Sequence, residues 1–171
     1  MGRLALVALA AVALGAGWLA FRHGSSSAKS AVVERVIDGD TIVLADGGHV
    51  RLVQIDTPEA GEECYAEQAT ALTRRLLPPG TRVRIELDPR LDHVDRYGRR
   101  LAYVFEEGEN VNLELVRDGA ATPYFFGGRR GRYASKLLAA AQSARGADRG
   151  LWAACPGTRL QPDESLSTGP S

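Results

Sequence analysis

The sequence predicts a β-rich α+β domain, a five-stranded barrel with three helices. Two observations lead to this prediction: five short segments have the composition of strands and are bounded by turn residues, and one apolar stripe of helical period lies between the third and fourth of them. This element order is typical of the oligonucleotide-binding (OB) barrel. A fold of this kind does not by itself define a function.

The first three strands are predicted at residues 32–37, 41–44 and 49–55. Asp38-Gly39 joins the first strand to the second, and Asp46-Gly47-Gly48 supplies a hairpin turn into the third. The beginning of the domain is therefore expected to be three antiparallel strands.

A helix is predicted at residues 66–77, where small and apolar residues recur at helical spacing. Pro78-Pro79-Gly80 ends it, because proline cannot continue a helix. Alternation then predicts the fourth strand at residues 81–87. After a polar loop at residues 88–97, the fifth strand is predicted at residues 101–105.

Two further helices complete the predicted domain. The first is short, begins at Asn110 or Asn112 as an N-terminal cap, and ends before Gly119. The second covers residues 132–145, and the Leu151-Trp152 pair is expected to pack beneath it.

The chain divides into three parts by composition. Residues 1–30 contain an apolar run at 4–21 and a Gly/Ser linker, which predicts either a cleaved export signal or a retained membrane anchor that tethers the protein. Residues 31–155 form the predicted domain. Residues 156–171 are polar and aperiodic, so they are expected to be a disordered tail. Both interpretations of the first part place the domain outside the cytoplasm.

The charge is balanced, with 21 basic and 21 acidic residues, so no overall field draws the protein to a polyanion. Any polyanion must be bound by a local patch.

Cys64 and Cys155 lack the spacing of a zinc site. If the chain is exported, a disulfide between them is expected, and two unpaired core thiols are the alternative.

Acidic residues concentrate around the first turn and the end of the third strand: Asp38, Asp40, Asp56 and Glu59, with Arg51 between them. Such oxygen donors suit a hard cation, and a guanidinium suits a phosphate or a carboxylate. Each motif alone is equally compatible with an ordinary turn or strand end, since Asp, Gly and Pro are common there.

A second polar motif, Asp95-Arg96-Tyr97-Gly98-Arg99, precedes the fifth strand. Arg99 adds a guanidinium, Tyr97 adds a ring and a hydroxyl, and Gly98 permits a tight turn. A solvated charged turn is the simpler interpretation of this motif alone. Together with Arg51 it could hold a phosphate from two sides.

With both motifs present, residues 32–152 closely resemble the thermonuclease family, the staphylococcal (micrococcal) nuclease-like domains. The resemblance depends on five ordered motifs: Asp38-Gly39-Asp40-Thr41, Arg51 with Asp56-Thr57-Pro58-Glu59, Asp95-Arg96-Tyr97-Gly98-Arg99, Val111-Asn112 with Leu115-Val116-Arg117-Asp118-Gly119, and Gly150-Leu151-Trp152.

The resemblance implies one Ca²⁺ in the active site. Asp40, Asp56 and the backbone carbonyl of Thr57 would bind it directly, while Asp38 and Glu59 would reach it through water. Such a set of oxygen ligands is what Ca²⁺ prefers in proteins.

The resemblance also implies the catalytic residues. Arg51 and Arg99 would hold the phosphate, Tyr97 would contact the substrate, and Glu59 would position or deprotonate the attacking water. Tyr124 is the candidate for a second tyrosine that faces the substrate. The loop after Glu59 is short and acidic in this chain, and the cysteine pair is an addition to the family pattern.

The expected protein is thus an exported, monomeric, Ca²⁺-dependent endonuclease that cleaves DNA and RNA with little sequence specificity and leaves 3′-phosphate ends. The alternative is an inactive OB module that binds nucleic acid or protein. Inactive copies of the fold usually lose carboxylates or arginines from the active site, whereas all of those are present here.

Overall fold

A computed structural model describes residues 28–169, and its centre is a closed five-stranded barrel, as the sequence predicts. The predicted apolar segment at residues 4–21 lies outside the described residues. Among the residues that are described, no helix is both long and apolar enough to cross a membrane.

The strands are β1 (Ala28–Val36), β2 (Thr41–Leu44), β3 (His49–Leu52), β4 (Ile55–Asp56), β5 (Arg82–Glu86), β6 (Arg100–Glu106), β7 (Glu109–Asn110) and β8 (Thr122–Pro123).

The barrel closes through one parallel pairing. Antiparallel pairs join β3 to β2, β2 to β1, β1 to β5 and β5 to β6. β3 then pairs in parallel with β6, so that Arg51 lies opposite Leu101. This last pairing brings the two polar motifs of the sequence to the same side of the barrel. β1 begins at Ala28, four residues before the predicted start of the first strand at residue 32, so it includes the last three residues of the predicted linker.

The barrel interior is filled by the apolar positions of the alternating strands. Ile42, Leu44, Val50, Leu52 and Val104 are fully buried there. Burial of one such side chain stabilises the fold by about 1.5–3 kcal/mol relative to its exposure. The apolar residues that predict the strands are therefore also the ones that fill the core.

The third strand is shorter than its pattern predicts. β3 ends at Leu52, and Gln54 adopts a left-handed backbone conformation with φ of 65°. Its side chain fixes this turn: Gln54 Nε2 donates to the carbonyl of Arg129 at 2.8 Å, and Gln54 Oε1 accepts from the backbone N–H of Gly131 at 2.7 Å. β4 then pairs with β8 in a separate two-stranded sheet.

The helices are α1 (Ala66–Leu76), α2 (Val111–Arg117), α3 (Ala134–Gly146) and α4 (Leu151–Ala154), with a 3₁₀ turn at Phe126–Gly128. The first three correspond to the three predicted helices. α4 is an additional single turn formed around the predicted Leu151-Trp152 pair, and Leu151 is fully buried.

The two candidate caps of α2 have different roles. Asn110 is the N-cap, because its side chain accepts a hydrogen bond from the backbone N–H of Leu113 at 3.1 Å. Asn112 is fully buried, accepts from the N–H of Val104 at 3.0 Å and donates to the carbonyl of Val53 at 2.9 Å. It therefore joins α2 to the barrel.

A disulfide joins Cys64, just before α1, to Cys155 at the end of α4, with their Cα atoms 5.9 Å apart. Of the two alternatives that the sequence leaves open, the structure shows the paired cysteines. The bond encloses all four α-helices and four of the strands.

Reduction of this disulfide is expected to lower the free energy of unfolding by about 4 kcal/mol, because an unfolded chain without the cross-link gains the entropy of an open loop. Urea unfolding of the oxidised and reduced chain measures the difference. The double variant Cys64→Ser with Cys155→Ser serves as the control and should not respond to the reductant. Equal free energies for oxidised and reduced wild type would contradict the prediction.

The chain after Pro156 differs from the disordered tail expected from its composition. Residues 157–169, which we call the C-terminal strap, follow the domain surface and bond to it at both ends. The carbonyl of Pro162 accepts from the N–H of Phe125 at 2.6 Å, and the Thr168 hydroxyl donates to the carbonyl of Cys64 at 2.8 Å. Backbone bonds of this kind leave no periodic pattern in the sequence.

Candidate active site

Arg51 on β3 joins two buried carboxylates. Its Nε lies 2.9 Å from Asp40 Oδ1, and its Nη2 lies 2.6 Å from Asp56 Oδ1. Its Nη1 donates to the backbone carbonyls of Leu52 at 3.0 Å and Ile55 at 2.8 Å. All three guanidinium nitrogens therefore have partners, which fixes the plane of the group.

The turn between β1 and β2 presents Asp40 to this arginine. The N–H of Asp40 donates to Asp38 Oδ1 at 3.1 Å, a short-range bond typical of Asp in turns. Asp40 Oδ2 accepts from both the N–H and the hydroxyl of Thr57, each at 3.0 Å. A Cβ on Gly39 would lie 2.6 Å from Thr57 Oγ1, so glycine is required for this close approach.

Burial dominates the electrostatics of the carboxylates. It raises the pKa of Asp40 to about 7, against the lowering effect of Arg51, and the neighbouring Asp38 and Asp56 raise it further. Burial also raises the pKa of Asp56. Because the effect of burial outweighs that of the guanidinium, the protonated form of Asp40 is favoured up to near-neutral pH.

The free energy of unfolding is therefore expected to fall as the pH rises from about 4 to about 7 in metal-free buffer. Folded Asp40 keeps its proton over this range, whereas an aspartate in the unfolded chain loses it near pH 3.9, so the folded state binds more protons. Urea unfolding at a series of pH values measures the slope. Asp40→Asn should flatten it, and the exposed control Asp148→Asn should not. A slope equal in wild type and Asp40→Asn would contradict the prediction.

The second motif forms a tight loop before β6. Asp95 accepts from the backbone N–H groups of Tyr97 and Arg99, both at 2.9 Å, and from Arg99 Nε at 2.7 Å. Burial raises the pKa of Asp95, but these hydrogen bonds outweigh it and lower the pKa overall. The Arg99 guanidinium lies 5.3 Å from the Tyr97 ring centroid. Asp95 therefore holds the arginine in place.

A cavity of about 510 Å³ brings the two motifs together. The predicted catalytic residues Arg51, Glu59 and Arg99 line it, and so do the predicted substrate-binding residues Tyr97 and Tyr124. Its volume is within the usual range for ligand sites. Residues from β3, the loop after β4, the loop before β6 and the segment after β8 thus meet at one opening.

The predicted metal ligands do not line this cavity. Asp40, Asp56 and Thr57 are buried beside it and connect to it through Arg51. Glu59 is exposed at the cavity wall, and burial, followed by the charges of Asp56 and Asp38, raises its pKa. A carboxyl group with a raised pKa is a better proton acceptor once it is ionised.

Among the cavity residues that sequence reasoning missed are Phe126, Arg129 and Ser165. Phe126 is 72 % exposed, and its ring centroid lies 6.4 Å from that of Tyr124. The run Tyr124-Phe125-Phe126 is the signal that could have indicated an aromatic wall. No sequence signal indicates Ser165, which reaches the cavity only because the C-terminal strap folds back.

The donor set fits a hard cation in its chemistry. Within residues 28–169, no three or more Asp, Glu, His or Cys side chains are grouped so as to hold a metal ion by themselves. The predicted donors are nevertheless all oxygen, namely carboxylates and the backbone carbonyl of Thr57, and Ca²⁺ completes such sets with water. Once Asp40 is ionised, Asp40 and Asp56 carry more negative charge than Arg51 neutralises, so a cation would be stabilised there.

The fold and the cavity define a class: a small barrel protein with an arginine-lined site for an anionic ligand. The sequence profile described as "Staphylococcal nuclease homologue" matches residues 49–154. The chain belongs to this staphylococcal nuclease (thermonuclease-like) family, as the motifs predict.

Curated relatives agree with this family. The thermonuclease of Staphylococcus intermedius is 37% identical over 116 residues, which cover 62% of this chain and 67% of that protein. The thermonuclease of Staphylococcus hyicus is 34% identical over 128 residues, 70% of this chain and 73% of that protein. The SPbeta prophage-derived endonuclease YokF of Bacillus subtilis (strain 168) is 30% identical over 128 residues, 70% of this chain and 43% of that protein. The protein is accordingly a phosphodiesterase of the endonuclease class.

Proposed function

We propose that this protein is an exported, Ca²⁺-dependent endonuclease that hydrolyses DNA and RNA with little sequence preference and leaves 3′-phosphate ends. The observation that carries the proposal is the cavity in which Arg51, Glu59 and Arg99 meet beside two buried aspartates. Its aromatic and basic lining suits a phosphodiester flanked by bases, since stacking and phosphate contacts tolerate any sequence.

The arginines would bind the scissile phosphate. The guanidinium of Arg51 is held by four hydrogen-bond acceptors and that of Arg99 by Asp95, so both are oriented before the substrate arrives. Groups ordered in advance stabilise the extra negative charge of the transition state without reorganisation.

Glu59 would act on the attacking water, by ordering it or by accepting its proton. The water oxygen bonds to phosphorus, the bond from phosphorus to the 5′ oxygen breaks, and that oxygen leaves as a hydroxyl with a proton from solvent. Asp40, Asp56 and the carbonyl of Thr57 would hold the Ca²⁺, with Asp38 reaching it through water. When bound, the cation supplies charge stabilisation at the phosphate.

Export is supported by two features. One is the apolar run at residues 4–21 of the sequence, and the other is the Cys64–Cys155 disulfide, because disulfides persist in oxidising compartments. When the full-length chain is expressed, recovery of a shortened protein from the medium would indicate a cleaved signal. Recovery from the membrane fraction would indicate a retained anchor, and recovery from the cytoplasm would contradict export.

The test is digestion of single- and double-stranded DNA and of RNA by the full-length chain, with Ca²⁺ or with a chelator of Ca²⁺. We expect internal cleavage only with Ca²⁺, and fragments whose 3′ ends release phosphate on phosphatase treatment. Cleavage that is unaffected by the chelator would contradict the role of Ca²⁺, and 5′-phosphate ends would contradict the mechanism. Binding without any cleavage would instead indicate an inactive OB module.

A further inference from the structure

The C-terminal strap is attached on both sides of β4. On one side, besides the bond between Pro162 and Phe125, Asp163 pairs with Arg130 at 3.2 Å. On the other side, the N–H of Cys64 donates to the carbonyl of Gly169 at 3.0 Å. Between these attachments the strap crosses the site that holds Asp56.

At this crossing the strap contacts Asp56 directly. The backbone N–H of Leu166 donates to Asp56 Oδ2 at 2.9 Å. The other carboxylate oxygen, Oδ1, accepts from Arg51 at 2.6 Å. Each oxygen of Asp56 thus has one donor, Arg51 on Oδ1 and Leu166 on Oδ2. Because both oxygens are held, the rotation of the carboxylate is fixed.

The strap borders the cavity without closing it. Ser165 lines the cavity next to Arg51 and Glu59, and about 510 Å³ remains free with the strap in place. The acidic residue Asp163 pairs with Arg130, which is not among the residues that line the cavity, and neither Arg51 nor Arg99 has a partner in the strap. A strap that blocked the site would be expected to neutralise its arginines.

We infer that Leu166 is a positioning residue: its backbone amide holds the Asp56 carboxylate in the orientation in which that group serves the active site. The inference depends on the proposed role of Asp56 as a metal ligand. Hydrogen bonds to metal-binding groups orient them, and their loss typically costs about 10–100-fold in metal affinity or activity. The strap is then part of the catalytic site and not an appendage.

The experiment compares three full-length variants with wild type. Leu166→Pro removes the side chain and the N–H donor, and Leu166→Ala removes the side chain alone. Ser167→Pro introduces the same backbone restriction one residue further on, where the amide has no hydrogen-bond partner within residues 28–169. Three quantities are measured for each: the affinity for Ca²⁺ by titration calorimetry, and kcat and KM on single-stranded DNA.

We expect Leu166→Pro to bind Ca²⁺ about 10–100-fold more weakly and to lose a similar factor in kcat, with little change in KM. Leu166→Ala and Ser167→Pro should stay within about threefold of wild type, which is under 1 kcal/mol. Equal values for Leu166→Pro and Leu166→Ala would overturn the inference. So would a rise in activity, since that would make the strap inhibitory.

Asp56→Asn separates failure of this inference from failure of the proposed function. If wild type cleaves, Asp56→Asn does not, and Leu166→Pro equals Leu166→Ala, then only the positioning role is wrong. If wild type neither cleaves nor binds Ca²⁺, the proposed function is wrong and the inference fails with it. Should Leu166→Pro disturb the strap as a whole, Thr168→Val tests it separately: it loosens the attachment to Cys64 and keeps the amide, so it should weaken Ca²⁺ binding less than Leu166→Pro does.

Discussion

Arg51→Met is expected to abolish detectable cleavage and to lower the free energy of unfolding by about 3–5 kcal/mol at pH 8. The stability is lost because Asp40 and Asp56 stay buried without their counter-charge. The activity is lost because one of the two guanidinium groups for the phosphate is absent. Urea unfolding measures the first effect, and digestion of single-stranded DNA under conditions where circular dichroism shows a folded chain measures the second.

Two further variants make the result specific to Arg51. Arg51→Lys keeps the charge and loses the planar fork, so it should recover part of the stability but remain at least about 100-fold slower than wild type. Arg35→Met removes an exposed arginine with no ion pair among residues 28–169, and should be neutral in both assays. Wild-type stability in Arg51→Met would show that the buried carboxylates do not need this partner.

Glu59→Gln is expected to lower kcat by about 10²–10⁴-fold while nucleotide binding stays near that of wild type. Glutamine keeps the size of the side chain but cannot accept a proton, and Glu59 contacts neither Arg51 nor Arg99 in the structure. Single-turnover cleavage gives the chemical step, and titration with a non-cleavable nucleotide gives the affinity.

Glu62→Gln, three residues along the same loop, is the matched control. Glu62 is exposed, is not among the residues that line the cavity, and should tolerate the change. Equal rates for Glu59→Gln and Glu62→Gln would show that Glu59 takes no part in the reaction. A large fall in affinity with kcat unchanged would make Glu59 a binding residue instead.

Local patterns in the sequence predict the barrel because apolar residues mark its strands and turn residues mark their ends. They place its elements within a few residues, since Ile42, Leu44, Val50 and Leu52 face the core wherever the pattern indicates. The patterns wrongly continue the third strand through Gln54. The left-handed turn at this residue is held by Arg129 and Gly131, about 75 residues away along the chain. Such a contact has no local signature.

The candidate site, like the fold, is predicted from the sequence only in part. Motifs in the sequence identify Arg51, Glu59 and Arg99, and the structure places all three at one cavity. The motifs assign Arg51 to phosphate and do not predict its pairing with Asp40 and Asp56. Such pairing depends on which side chains the folded chain buries next to one another. Nor do the motifs predict the Leu166 contact, since a backbone amide is the same for every residue type except proline.

The parallel pairing of β3 with β6 has a consequence for how activity arises during folding. Arg51 and Arg99 are far apart in sequence and come together only when this last seam of the barrel forms. Contacts between such distant segments form late and slowly compared with local ones. A chain with only its first half folded therefore has not brought Arg51 and Arg99 together, and the gain of nuclease activity during refolding is expected to report completion of the barrel, not the formation of any single element.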